Sequence, residues 1–159
     1  MNRLDVQLKN RPALRVGAVR HVGPYDTIPV AFGRLGAIAT EARLFEQPGA
    51  MMLAIYHDDP DSVPPGKLRS DAAIVLPESL PLPAGLVEQR VPAGRYAALL
   101  HVGPYEQLGD AWRRLKHEWL PASGQRPLAA PSYELYLNDP TTVPKHELRT
   151  EILMPLAGS

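Results

Sequence analysis

The run Ser132-Tyr133-Glu134-Leu135-Tyr136-Leu137-Asn138 places an acid between tyrosines in a segment with strand-like composition. Side chains alternate between the faces of a strand. Tyr133, Leu135 and Leu137 therefore share one face, which the helix is expected to cover, and Ser132, Glu134 and Tyr136 share the other. A carboxylate beside aromatic rings suits an organic cation. The rings offer cation–π attraction and the acid neutralises charge where the dielectric is low. The competing reading pairs Glu134 with an Arg or Lys, or leaves it half exposed, because acids are seldom buried without a partner.

The aromatic residues around this acid carry two readings each. Trp112, Leu115 and Trp119 fall on one helical stripe, a spacing that serves a core as readily as a pocket. Tyr25 and Tyr105 follow Gly-Pro pairs and either pack a strand–helix junction or point into a cleft. Tyr56 and Tyr136 recur at equivalent positions. The five histidines, His21, His57, His101, His117 and His146, lack metal-ligand spacing, and His21 and His101 are expected to hydrogen-bond at strand ends. Asp58, Asp59 and Asp61 read as a turn, since the spacing and terminal acid of a calcium loop are missing. No metal site, cofactor loop or serine nucleophile elbow is expected.

These residues are positioned by a duplication. His21-Val22-Gly23-Pro24-Tyr25 returns 80 residues on as His101-Val102-Gly103-Pro104-Tyr105, and Asp59-Pro60 and Leu68-Arg69 return as Asp139-Pro140 and Leu148-Arg149. Such self-similarity means one fold unit used twice. The repeats span about 1–76 and 86–156, with a proline-rich linker over 77–85, in one domain of 1–159. Each repeat reads strand-strand-helix-strand-strand. Strands are expected over 3–9, 14–22, 51–57 and 70–76, then 86–91, 95–102, 132–138 and 148–154. Helices are expected from the Gly-Pro motif to about Phe45, capped by Asp26 or Thr27 with Pro29 in the first turn, and from Glu106 to Leu120, stopped by Pro121. The expected class is α+β, largely antiparallel, with pseudo-twofold symmetry and a central groove between repeats. The duplication is unequal at the acid: Glu134 answers to Ala54, and Trp119 to Ala39.

Composition narrows the function. Seventeen basic and seventeen acidic residues cancel, which argues against nucleic acid as a direct partner. The absence of cysteine excludes disulfides and thiolate chemistry. The N-terminus lacks an apolar signal core and no run reaches membrane-spanning length, so a soluble cytoplasmic protein without a membrane partner is expected.

The doubled His-Val-Gly-Pro-Tyr, the helix with Trp112 and Trp119, Tyr133-Glu134-Leu135-Tyr136, Asp139-Pro140 and Leu148-Arg149-Thr150-Glu151-Ile152 resemble the GyrI-like small-molecule-binding domain. The same domain forms the effector-binding part of AraC-type and MerR-type multidrug regulators. The resemblance implies two βαββ-containing repeats around a groove that takes lipophilic, often cationic compounds. By position it makes Glu134 the strand glutamate and Tyr136 and Tyr56 the recurrent tyrosines, with Tyr25, Tyr105, Trp112 and Trp119 as further lining. The length leaves no room for a helix-turn-helix, so the stand-alone form is expected. Three functions follow: a binder of lipophilic cations for sequestration or sensing, a hydrolase of strained electrophilic toxins using Glu134, and a protein that binds a partner such as DNA gyrase.

Overall fold

The computed structural model describes residues 4–158; Arg3, where the first expected strand begins, lies outside them. Among the described residues are eight strands, β1 (Val6–Arg11), β2 (Leu14–Val22), β3 (Met52–Tyr56), β4 (Arg69–Val75), β5 (Val87–Val91), β6 (Gly94–Val102), β7 (Ser132–Tyr136) and β8 (Arg149–Pro155). All pairings within the two units are antiparallel. The α+β class is the one the sequence implies.

Two compact units emerge, one of Pro12–Ala93 and one of Met1–Arg11 with Gly94–Ser159. They do not coincide with the sequence repeats. β1 precedes the first repeat's helix but pairs with β6, and β5 precedes the second repeat's helix but pairs with β2. The links between β1 and β2 and between β5 and β6 are Pro12-Ala13 and Pro92-Ala93. Neither offers the Asn-Gly or Gly-X chemistry of a two-residue hairpin, and neither strand folds back on its successor. Each unit is thus a strand-helix-strand-strand core with one edge strand supplied by the neighbouring stretch of sequence.

In the unit of 12–93 the sheet order is β5-β2-β4-β3. The helix α1 (Pro29–Glu41) has Pro29 in its first turn, as expected, where a missing N–H costs nothing. Neither Asp26 nor Thr27 caps it; Thr27 Oγ1 instead donates to the Pro24 carbonyl. Ala31, Leu35 and Ala39 form its buried stripe, packed on β2 and β4. Burying Leu35 alone contributes about 1.5–3 kcal/mol. The helix stops at Glu41 rather than near Phe45. Arg43 enters the left-handed region at φ 56°, and a 3₁₀ turn (Leu44–Glu46) then buries Leu44.

In the other unit the order is β1-β6-β8-β7. A 3₁₀ turn (Tyr105–Gln107) leads into α2 (Leu108–Arg114), a π-helical turn (Leu115–Trp119) and α3 (Leu120–Ser123). Pro121 does not stop this helix. It lies inside the last turn, and Gly124 at φ 74° ends it. A proline ring clashes with the carbonyl four residues back, here that of His117. The helix widens just before it, with the Leu120 N–H reaching Leu115 O. Leu108, Ala111 and Leu115 pack on Ala97, Leu99, Ile152 and Met154.

Both Gly-Pro motifs turn the chain from strand to helix. Gly23 and Gly103 have φ of 137° and 141°, and their N–H groups donate to Leu68 O and Leu148 O at 2.8 Å. Only glycine adopts that backbone conformation without strain.

Candidate functional site: a buried carboxylate with neutral donors

The acid singled out from the sequence is buried. Glu134 is 3 % exposed at the centre of β7. The indole N–H of Trp112, from α2, donates to its Oε1 at 2.7 Å, and the Tyr136 hydroxyl donates to Oε2 at 3.1 Å. Both donors are neutral. Each satisfies a lone pair of the carboxylate.

This geometry corrects the assignment of faces. The helix covers the face of Glu134 and Tyr136. It does not cover the face of Tyr133, Leu135 and Leu137. Tyr133 packs on the opposite side against Tyr96, edge to face, with ring centroids 5.3 Å apart. Desolvation pushes the Tyr96 phenol up to about 12, with Tyr133 adding to the effect. Leu137 stands exposed.

Tyr105, at the start of the helical segment, meets Tyr136 in a tilted edge contact at 5.4 Å. Desolvation raises its phenol above the ordinary value, and the negative charges of Asp139 and Glu134 add to the shift. Its hydroxyl has no hydrogen-bond partner among the described residues. Glu134, Tyr136, Trp112 and Tyr105 therefore converge within one unit. Trp119 belongs to the same unit but packs against the apolar cluster of Leu99, Leu115 and Ile152.

The equivalent place in the unit of 12–93 is apolar. Ala54 is fully buried where Glu134 would stand. Tyr25 and Tyr56 pair at 4.7 Å, closer than their counterparts. The Tyr25 hydroxyl is engaged, donating to Asp58 O at 2.6 Å and accepting from the Asp58 N–H at 3.1 Å. One tyrosine pair is thus tied to the backbone, and the other adjoins a charge.

Two features escaped the sequence reading. Thr150, directly opposite Tyr136 in the ladder, is fully buried and its hydroxyl has no hydrogen-bond partner among the described residues; Ser70, its equivalent, behaves alike. The 80-residue offset marks them as a pair, but a Ser–Thr match looks unremarkable in a strand. The second feature is Asp71, fully buried, which accepts from His57 and from Arg20 Nε at 2.9 Å. Burial alone would raise its carboxyl, but hydrogen bonds from His57, Arg20 and Gln89 outweigh this and hold it low. His21 and His101 do hydrogen-bond at their strand ends, each to the carbonyl of the following Pro24 or Pro104. Among the described residues no three His, Asp or Glu side chains converge as a metal ion would require, and no helix is long and apolar enough to cross a membrane.

An antiparallel βαββ unit with a tyrosine pair is thus present twice, with a buried glutamate in one copy. The GyrI-like small molecule binding domain matches residues 4–157, and the chain belongs to that family. It is 35% identical over 130 residues to a DNA gyrase inhibitor of Yersinia enterocolitica, covering 79% of this chain and 81% of that one. The fold is shared with the EcmrR C-terminal domain, at a TM-score of 0.78 and 20% identity, covering 98% of this chain and 99% of that one. It is shared also with SAV2435, solved bound to tetraphenylphosphonium, at a TM-score of 0.73 and 20% identity over 98% of this chain and 95% of that one.

Proposed function

We propose that the protein binds a lipophilic organic cation, selected for charge by Glu134 and for shape by Tyr136, Tyr105 and Trp112. The observation that carries this reading is the Glu134 carboxylate, more than nine-tenths buried and accepting from the Trp112 indole and the Tyr136 hydroxyl. Cation–π attraction from the adjoining rings is strongest where water is excluded. SAV2435, which shares the fold, takes a ligand of this class. Tyr25 and Tyr56 form the equivalent pair of the other unit, and Trp119 packs in the apolar cluster beside the Glu134 site.

The test is a fluorescence titration that follows Trp112 and Trp119. Wild type is expected to bind tetraphenylphosphonium saturably and Glu134→Gln at least tenfold more weakly, about 1.4 kcal/mol, with affinity for triphenylphosphine oxide, a neutral analogue, unchanged. Equal loss for both compounds removes the role in charge selection. Hydrolysis of a strained electrophile is the less favoured use of the same acid, because both carboxylate oxygens already accept hydrogen bonds.

A second reading, inhibition of DNA gyrase, is supported by the relative that carries that name. A supercoiling assay with purified gyrase tests it. Inhibition that survives Glu134→Gln places that activity outside the cation site.

A further inference from the structure

The duplication supplies an internal control for every surface position. Across β2, β4 and the end of β3 in the unit of 12–93, the ladder aligns Val22, Arg69 and His57 in one row and Arg20, Asp71 and Ile55 in the next. Here the polar side chains pair with one another, while Val22, like Val102 of the other unit, stands exposed. Asp58 takes the Arg69 guanidinium through Nε at 3.0 Å and Nη2 at 2.8 Å, and it also accepts the Arg69 N–H. Asp71 takes Arg20 and His57.

The corresponding rows of the other unit are Val102, Arg149 and Leu137, then Leu100, Glu151 and Leu135. Three exchanges have dismantled the network: Arg20 is answered by Leu100, His57 by Leu137 and Asp58 by Asn138. Leu100, Val102 and Leu137 are 43 %, 54 % and 40 % exposed. Asn138 still accepts the Arg149 N–H, but its amide nitrogen donates to Glu147 O at 2.9 Å. Asn138 thus gives the guanidinium no carboxylate, and Arg149 has no side-chain partner among the described residues. It borders a depression of about 380 Å³ lined also by Val102, Asn138, Val143, His146 and Glu147.

We propose that this end of β6, β7 and β8 is a docking surface for a protein segment that presents a carboxylate flanked by apolar side chains. The carboxylate would take Arg149 as Asp58 takes Arg69, in the two-pronged geometry that guanidinium favours. The flanking apolar groups would cover Leu100, Val102 and Leu137, which no element of their own unit shields. A clustered apolar surface around an uncompensated cation is the pattern of an interaction site. The surface is independent of Glu134, which faces the opposite side of β7.

The experiment uses the whole ¹⁵N-labelled protein and an acetylated, amidated peptide in which one aspartate is flanked by leucines. Saturable amide shifts are expected at Val102, Leu137 and Arg149. They should weaken at least tenfold when asparagine replaces the peptide's aspartate. Asn138→Asp rebuilds the internal pair and should abolish binding without lowering the melting temperature; Arg149→Gln should abolish it as well. No shifts in wild type, equal binding of the asparagine peptide, or undiminished binding by Asn138→Asp overturns the proposal. Concentration-dependent self-association that Asn138→Asp abolishes would also overturn it, by making a second copy the occupant.

Discussion

A single exchange decides how a residue pair behaves in each copy of this fold, and Asp58 against Asn138 is the plainest case. Hydrogen bonds from the Arg69 guanidinium, the largest influence, hold the Asp58 carboxyl down to about 2. A depressed carboxyl adds stability above its unfolded-state value, and that stability is lost as pH falls through the folded-state value. Asp58→Asn is therefore expected to lower the melting temperature at neutral pH, with the gap closing between about pH 4 and pH 2. Scanning calorimetry of both proteins across that range checks it, and a gap independent of pH would show that the ion pair contributes nothing. The exposed setting keeps the effect small. Glu134 was legible in the sequence through the same copy-to-copy comparison, as an acid where the first repeat has Ala54. Which face of β7 the helix covers was not. Alternation groups residues by face but does not name the covered one, and here Tyr133 and Leu135 are as buried as Glu134. Hydrophobicity gave no means to choose.

At the scale of elements, every strand but the first was legible to within a residue or two, because β-branched and apolar runs bounded by Gly and Pro have few alternatives; β1 starts at Val6, three residues later than its weak alternation suggests. Helix ends were not. The signal that normally closes a helix is glycine in the left-handed conformation, and α1 closes on Arg43 at φ 56° instead. An arginine carries no stop signal, so the helical pattern reads through to Phe45. The same residue makes the end strained, since a Cβ in that conformation costs roughly 1 kcal/mol. Arg43→Gly is expected to stabilise the protein by about 0.5–1 kcal/mol, seen as a rise of a few degrees in melting temperature. The Arg43–Glu46 contact given up is exposed and 3.9 Å long, so it offsets little. A fall in melting temperature would mean that the arginine holds the 3₁₀ turn in some other way. Pro121 misleads in the reverse sense. A proline that reads as a stop is absorbed by one π-helical turn, and the helix runs three residues further before Gly124.

For the whole molecule, the duplication is legible in sequence but the grouping of strands is not, because pairing partners depend on contacts distant in the chain. β1 closes the edge of a sheet whose other strands begin at Gly94. It also brings charge. Glu151 on β8, repeat-equivalent to Asp71, is largely buried and is met by Lys9 at 2.7 Å and Arg11 at 3.7 Å, both from β1. The two buried acids are thus neutralised by different routes, Asp71 from strands of its own repeat and Glu151 from the start of the chain. Removing residues 1–11 should then damage one unit selectively. It strips an edge strand and leaves Glu151 without its cations, so both the sheet pairing and the charge compensation of β8 are weakened. Trp112 and Trp119 both lie in that unit, so tryptophan emission reports on it alone. The shortened protein is expected to lose native tryptophan emission at clearly lower urea than the full chain, while amide protection persists in β2 and β4. Simultaneous loss of both signals would mean that the two units fold as a single cooperative body, and an unchanged emission midpoint would mean that β1 contributes neither edge nor charge to the fold.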